Sequence, residues 1–136
     1  MVGTVPYLGN RVLLCKRNIE PRKGKWTLPA GFMELGESTA EGAARETTEE
    51  AGAQFKMGPL ITVMSVPRVG QVHLYYLAEL QSEEFNPGFE TQETRMFLES
   101  EIPWEELAFR TVQETLKHYF EDRSAGQFQV HAFNID

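Results

Sequence analysis

The sequence has little cysteine, no long apolar run and few basic residues, and each shortage excludes a class of protein. With Cys15 as the only cysteine in 136 residues, the chain can form no internal disulfide and no multi-cysteine zinc site. A reducing, cytoplasmic setting is therefore expected. No apolar run reaches the roughly 18 residues of a transmembrane helix, and the start of the sequence lacks the pattern of a signal peptide, so we expect no membrane association.

Acidic residues outnumber basic residues by 20 to 13, which gives a net charge of −7. Such a balance does not favour nucleic acid or an anionic membrane held by basic residues, so we expect no nucleic-acid partner. A phosphorylated small molecule remains a suitable partner, because a bound metal ion can reverse the local sign of the charge. The length suits one domain, residues 1–136, with an ordinary core.

Hydrophobic patterning predicts an α/β fold. Residues 2–7 and 11–16 are rich in β-formers and are separated by a turn-like Gly9-Asn10 pair, which predicts a hairpin. Further strands are predicted at 54–57, 60–66, 70–80, 95–99 and 128–135. The polar segment 81–94 is predicted to be a mobile loop, and residues 109–122 show helical periodicity.

Residues 38–52 form the best-defined predicted helix. Ser38 and Glu41 match a capping box at its start, and Gly52 is a typical stop signal at its end. Arg45 lies four residues from both Glu41 and Glu49, so helical geometry allows it to tether these acidic side chains.

Three carboxylates, those of Glu46, Glu49 and Glu50, occur close together on this helix, and their spacings of three and four place them on one face. Like charges this close repel one another unless a positive group lies among them. A hard divalent cation such as Mg²⁺ is the natural candidate, and a solvated acidic face is the alternative. A cation beside the glycine-containing loop 30–37 would suit hydrolysis of a phosphoanhydride, because it neutralises phosphate oxygens and activates water.

The stretch from Gly31 to Gly52 resembles the Nudix box, with no gap in its spacing. The matching positions are Gly31, Glu37, Arg45, Glu46, Glu49, Glu50 and Gly52. Thr47 and Ala53 differ from the bulkier apolar residues that are usual there, and these differences concern packing. The resemblance implies an α/β/α sandwich with a mixed central sheet and the box helix packed against it.

The resemblance also implies hydrolysis of a nucleoside diphosphate linked to another group, X. The implied ligands of Mg²⁺ or Mn²⁺ are the carboxylates of Glu46, Glu49 and Glu50 and the main-chain carbonyl of Ala30. Glu37 would support the metal site directly or through water, and Arg45 would orient the glutamates. Members of the family are often homodimers, so a homodimer is a further implication.

The general base differs among Nudix subfamilies, and two kinds of candidate stay open. Glu46 is one. A carboxylate from the later loop is the other, and Glu93 is preferred because it precedes Arg95-Met-Phe97 in a pattern that many members show. Glu90 is the reserve, and simple solvation of both loop carboxylates is the alternative.

Segments outside the box resemble a subgroup that acts on FAD and ADP-ribose. They are 13–18, 26–31, 65–71 and 101–104, and Pro67 lies fifteen residues beyond Gly52. We therefore expect FAD to give FMN and AMP, or ADP-ribose to give AMP and ribose 5-phosphate. Candidate substrate contacts are Arg17, Arg22 and Arg68, and Tyr76 or Phe32 could stack on a ring.

Two alternatives are kept. One is a nucleoside triphosphate pyrophosphohydrolase that removes damaged nucleotides. The other is a non-catalytic, Nudix-like module that binds nucleotide or protein.

Overall fold

A computed structural model describes all of residues 1–136, and its strands form one mixed sheet flanked by two α-helices. The strands are β1 (Val2–Leu8), β2 (Arg11–Arg17), β3 (Trp26–Thr27), β4 (Ala30–Gly31), β5 (Phe55–Val66), β6 (Gln71–Leu80), β7 (Thr91–Leu98) and β8 (His131–Asn134). The helices are α1 (Thr39–Ala51) and α2 (Arg110–Ala125). Short 3₁₀ turns follow β5 and β7.

The sheet has the order β3-β2-β1-β6-β5-β8, with β4 added to β1 and β7 added to β2. β1 runs parallel to β6 and β5 runs parallel to β8, while the other pairs are antiparallel. The predicted mixed sheet is therefore confirmed. The predicted hairpin at the start of the chain corresponds to β1 and β2.

Alternation along β2 shows why the sheet needs a helix on each face. Val12 and Leu14 belong to the larger core, which α2 covers, whereas Leu13 and Cys15 belong to a smaller core with Ala51 of α1. Successive side chains of a strand point to opposite faces, so one strand contributes to both cores. This arrangement confirms the α/β/α sandwich.

The predicted boundaries of α1 are confirmed. The Ser38 hydroxyl accepts a hydrogen bond from the Glu41 main-chain N–H (3.1 Å), and the Glu41 carboxylate accepts one from the Ser38 N–H (2.9 Å). Gly52 ends the helix with φ +59°, which a residue with a Cβ adopts poorly. The buried Thr47 hydroxyl contacts the Thr4 hydroxyl on β1 at 2.7 Å, which fixes the helix against the sheet.

Several predicted segments differ in the structure. The strand predicted at 128–135 spans only His131–Asn134, and the helix predicted at 109–122 spans Arg110–Ala125. The strands predicted at 54–57 and 60–66 form the single strand β5, whose register shifts between Met57 and Thr62 mark the interruption. The loop predicted at 81–94 ends early, because residues 91–94 belong to β7. Their polar composition indicated a loop, but they pair with β2, where Glu93 lies opposite Lys16. Neither helix is long and apolar enough to cross a membrane.

Candidate active site

Arg45 lies at the centre of the acidic cluster, and its guanidinium nitrogens donate hydrogen bonds to several of the carboxylates. Its Nε donates to Glu37 Oε2 (2.6 Å), and its Nη1 donates to Glu46 Oε1 (2.8 Å) and Glu49 Oε2 (3.2 Å). Its Nη2 donates to the carbonyl oxygen of Phe32 (3.0 Å). The bonds to Glu37 and Glu46 raise the pKa of Arg45, and the bonds to Glu37 and Phe32 join α1 to the preceding loop.

Glu46 is held between Arg45 and the glycine of β4. A Cβ placed on Gly31 would collide with the Glu46 carboxylate, so the glycine leaves the space that this carboxylate occupies. Burial is the largest influence on Glu46 and raises its pKa, the charges of Glu49 and Glu90 add to this, and Arg45 opposes it. A second positive group would stabilise the charged form of a carboxylate in such surroundings.

Glu50 is the most enclosed member of the cluster. Its Oε2 accepts a hydrogen bond from the main-chain N–H of Ala30 at 2.9 Å. The pKa of Glu50 is raised to about 8: burial is the largest cause, the charges of Glu46 and Glu90 act in the same direction, and the Ala30 bond and the Arg17 charge oppose them.

The structure itself supplies part of the positive charge that the crowded carboxylates require. Arg45 is that group, and its contacts differ in one respect from the prediction: Glu41 is used in the capping box and does not bind it.

The acidic side chains do not surround one common point as they stand. The reason is that Glu46 is turned towards Arg45, and Glu50 is turned towards Ala30.

The donor set nevertheless fits a hard divalent cation. All the donors are oxygen atoms, as Mg²⁺ and Mn²⁺ prefer, and no sulfur or imidazole lies among them. Glu49 has an exposed side chain, so it can turn without losing packing. Ala30 lies directly against Glu50, and Glu37 reaches the cluster through Arg45.

The two loop candidates for the general base occupy different surroundings. Glu93 is on β7, and its carboxylate is bound by Arg95 Nη2 at 2.6 Å. Glu90 precedes that strand, and its charge acts on both Glu46 and Glu50. The charge of Glu90 therefore acts on the cluster, whereas the carboxylate of Glu93 is paired with Arg95.

Asn18 anchors the segment that carries Glu90, and the sequence offered no signal for this role. The Asn18 N–H donates to the carbonyl oxygen of Glu90, and its side-chain Nδ2 donates to that of Phe89, both at 2.8 Å. On the other side, the Gly88 N–H donates to the carbonyl oxygen of Glu49 (3.2 Å). Asn18 and its partners Phe89 and Glu90 are some seventy residues apart in the sequence, so only the folded chain reveals the contact.

A cavity of about 510 Å³ opens beside β4 and the acidic cluster. Its wall includes Arg17, Phe32, Arg68, Tyr75, Phe109 and Arg110. Arg17 lies over the Phe109 ring (5.0 Å to its centre), and Phe32 is 66% exposed at the rim. A half-apolar cavity with a few polar groups is the usual form of a small-molecule site.

Two predicted substrate contacts do not reach this cavity. Arg22 is exposed and does not line it. Tyr76 does not line it either, since its hydroxyl contacts the Thr39 hydroxyl at 2.6 Å. The neighbouring Tyr75 lines the cavity instead, because side chains alternate along β6.

The NUDIX domain profile matches residues 2–126, which include both helices and all strands except β8. The chain therefore belongs to the NUDIX family, and the resemblance drawn from the box is confirmed.

Known members of the Nudix hydrolase family give the match more detail. A crystal structure of a NUDIX hydrolase from Nitrosomonas europaea superposes with a TM-score of 0.95 and 49% identity, covering 98% of this chain and 76% of that one. An ADP-ribose pyrophosphatase of Methanocaldococcus jannaschii is 34% identical over 104 residues, which are 74% of this chain and 60% of the relative. The NAD-capped RNA hydrolase NudC of Salmonella heidelberg is 33% identical over 72 residues, which are 53% of this chain and 28% of the relative. The matched part is thus less than two thirds of either curated relative.

Proposed function

We propose that the chain hydrolyses a nucleoside diphosphate linked to X, as a single domain over residues 1–136, with Mg²⁺ or Mn²⁺ as cofactor. The observation that carries the proposal is the oxygen-only cluster on α1, which lies next to a cavity large enough for part of a nucleotide. The reaction adds water to phosphorus, breaks the P–O–P bridge and releases two monophosphates.

Glu46, Glu49 and Glu50 would hold the cation, together with the carbonyl oxygen of Ala30. When a cation is bound there, the chemistry that it supplies is neutralisation of phosphate oxygens and activation of water. The Gly31 space around Glu46, and burial of the crowded Glu50 carboxylate, support this assignment. Residues that bind a cation here would exchange some of their present contacts for it.

Arg45 and Glu37 would position the glutamates. Their contact combines a 2.6 Å and a 3.1 Å hydrogen bond, a two-point geometry that fixes the plane of the guanidinium. For the general base, Glu46 and Glu90 have the stronger support, since Glu93 is bound to Arg95. A carboxylate oxygen of the base would take one proton from the attacking water.

The cavity beside the cluster would accept part of the substrate, and Arg17 and Arg68 on its wall support contacts to an anionic group. ADP-ribose is the first candidate substrate, because a relative carries the name ADP-ribose pyrophosphatase. FAD is the second, on the resemblance of the segments outside the box. The exposed Phe32 ring at the rim offers a stacking surface for either.

A substrate panel tests the proposal. The full chain would be assayed with Mg²⁺ on ADP-ribose, FAD, NADH, diadenosine polyphosphates and nucleoside triphosphates, and kcat/KM would be compared. We expect ADP-ribose or FAD to rank first, with AMP as one product and no turnover in EDTA. Pyrophosphate released from triphosphates, without cleavage of dinucleotides, would favour the triphosphate pyrophosphohydrolase instead. Binding without turnover of any compound would favour a non-catalytic module.

A further inference from the structure

Helix α2 begins at the cavity wall with its main-chain donors unused. The N–H groups of Arg110, Thr111 and Val112 donate to no main-chain carbonyl, and the first helical bond runs from Gln113 N to Phe109 O at 3.2 Å. Phe109, at the N-cap position, has no side chain able to accept from them. Free N–H groups and the helix dipole together favour an anion at such an end.

Two buried hydroxyls at the same place indicate a ligand independently of the helix end. Thr111 is 6% exposed and Tyr75 is 2% exposed, and both line the cavity. The Thr111 hydroxyl neighbours the Tyr75 phenol and lowers its pKa against the larger, opposite effect of burial. A pair of hydroxyls has two protons and uses one between its members, so one O–H remains to be donated within the cavity.

Guanidinium groups complete these surroundings. Arg17 and Arg68 on the cavity wall form no ion pair, and Arg110 contacts only the main-chain oxygen of Asp136 (3.1 Å). Arg17 and Arg68 are thus unpaired at one cavity in a chain with a net charge of −7, while Asp136, the one acidic residue of the wall, lies beside Arg110. Arg17 also acts on Glu50, so this cationic wall adjoins the acidic cluster.

We propose that the start of α2 is a phosphate subsite separate from the carboxylate cluster. The free N–H groups of the helix, the hydroxyls of Thr111 and Tyr75 and the guanidinium of Arg110 would bind one phosphate group, with Arg17 placed between it and the cluster. The proposal deepens the proposed function and rests on it for its place in the reaction. The phosphate is either the part of the scissile diphosphate that the cation does not hold or an additional phosphate on group X.

The first test uses no turnover and no metal. Thermal unfolding of the full chain would be followed in EDTA with inorganic phosphate as the probe, against sodium chloride at equal ionic strength. We expect phosphate to raise the unfolding midpoint of the wild type. The rise should be lost in Arg110→Gln and in Thr111→Val, and it should be kept in Arg123→Gln, a matched arginine in the last turn of the same helix.

No rise in the wild type, or an equal rise in all the variants, would overturn the subsite. If Thr111→Val fails to fold, Arg110→Gln against Arg123→Gln still decides the question. Because this assay needs no catalysis, a failure of the proposed hydrolase activity would be seen separately.

The second test distinguishes the two sources of phosphate by steady-state kinetics with Mg²⁺. If Arg110→Gln lowers kcat/KM for ADP-ribose and for a nucleoside triphosphate alike, by about tenfold or more, the subsite holds a phosphate of the scissile diphosphate. A loss confined to the triphosphate assigns the subsite to the additional phosphate. Unchanged kcat/KM for both would contradict a place for the subsite in the reaction.

Discussion

Replacing Arg45 by glutamine should destabilise the chain strongly without metal and much less with it. Arg45 is the only cation that binds Glu37, Glu46 and Glu49 together. Without it, these carboxylates repel one another, and two of them, Glu37 and Glu46, lose a charged partner in a partly buried place. A bound divalent cation would neutralise some of the same carboxylates, so its presence should reduce the effect.

The magnitude follows from exposure and from the number of bonds lost. The side chains of Arg45, Glu37 and Glu46 are 21%, 16% and 13% exposed. An exposed ion pair contributes up to about 1 kcal/mol, and loss of one partner of a fully buried pair costs about 3–5 kcal/mol, so the cost of this partly exposed case should lie between the two. The exposed pair of Arg11 and Glu83 should contribute less than about 1 kcal/mol.

Urea unfolding in EDTA and in Mg²⁺ measures these differences in the free energy of unfolding. Arg11→Gln serves as the control for loss of a surface ion pair. Arg45→Lys keeps the charge but loses the two-point geometry, so it should lie between the wild type and Arg45→Gln. The reasoning is refuted if Arg45→Gln in EDTA costs no more than Arg11→Gln, or if Mg²⁺ leaves its cost unchanged.

Three further predictions concern turnover and pH. Glu46→Gln and Glu50→Gln should each lower kcat by about a hundredfold or more while circular dichroism shows a folded chain, and near wild-type turnover in either would contradict the site. Glu90→Gln should lower kcat far more than Glu93→Gln does, while the Mg²⁺ affinity of both variants, measured by calorimetry, stays similar. A larger loss of kcat in Glu93→Gln would favour Glu93 as the general base. Unchanged kcat in both variants would favour Glu46. Burial lowers the pKa of His73 to about 4 from its usual 6.5. The unfolded chain therefore binds the His73 proton first, so His73 by itself lowers the free energy of unfolding as the pH drops from 6.5 to 4, whereas the raised pKa of Glu50 acts in the opposite direction. The measurement is the difference between the wild type and His73→Gln: the free energy of unfolding of the wild type, relative to that of the variant, should fall over this range.

The acidic helix could be predicted from the sequence because its determinants are local. The capping box of Ser38 and Glu41 and the stop at Gly52 lie within the helix or beside it, and the spacing of its glutamates follows from the helical repeat. The family resemblance rested on the same stretch and was confirmed, because it too depended on residues that are close together in the sequence.

What escaped prediction depends on contacts between distant parts of the chain. The polar start of β7 is a strand only because β2 pairs with it, and Glu90 is placed by Asn18, a residue far away in the sequence. Tyr75, rather than Tyr76, lines the cavity, and a pattern of alternating residues does not reveal which face of a strand will adjoin a ligand. The cavity is assembled from several elements, so its members could not be read from any one of them.

The turn between β5 and β6 places Arg68 and Val69 on the cavity wall, while the acidic cluster lies on α1 and the loop before it. This four-residue tip, Pro67–Gly70, contributes no carboxylate to the cluster and contains no buried residue. Turn sequences of equal length could therefore be exchanged at this position with little effect on the core. Under the proposed function, the tip is thus a suitable place for laboratory evolution of substrate preference, since the proposed metal ligands and this part of the cavity wall lie on separate elements of the chain.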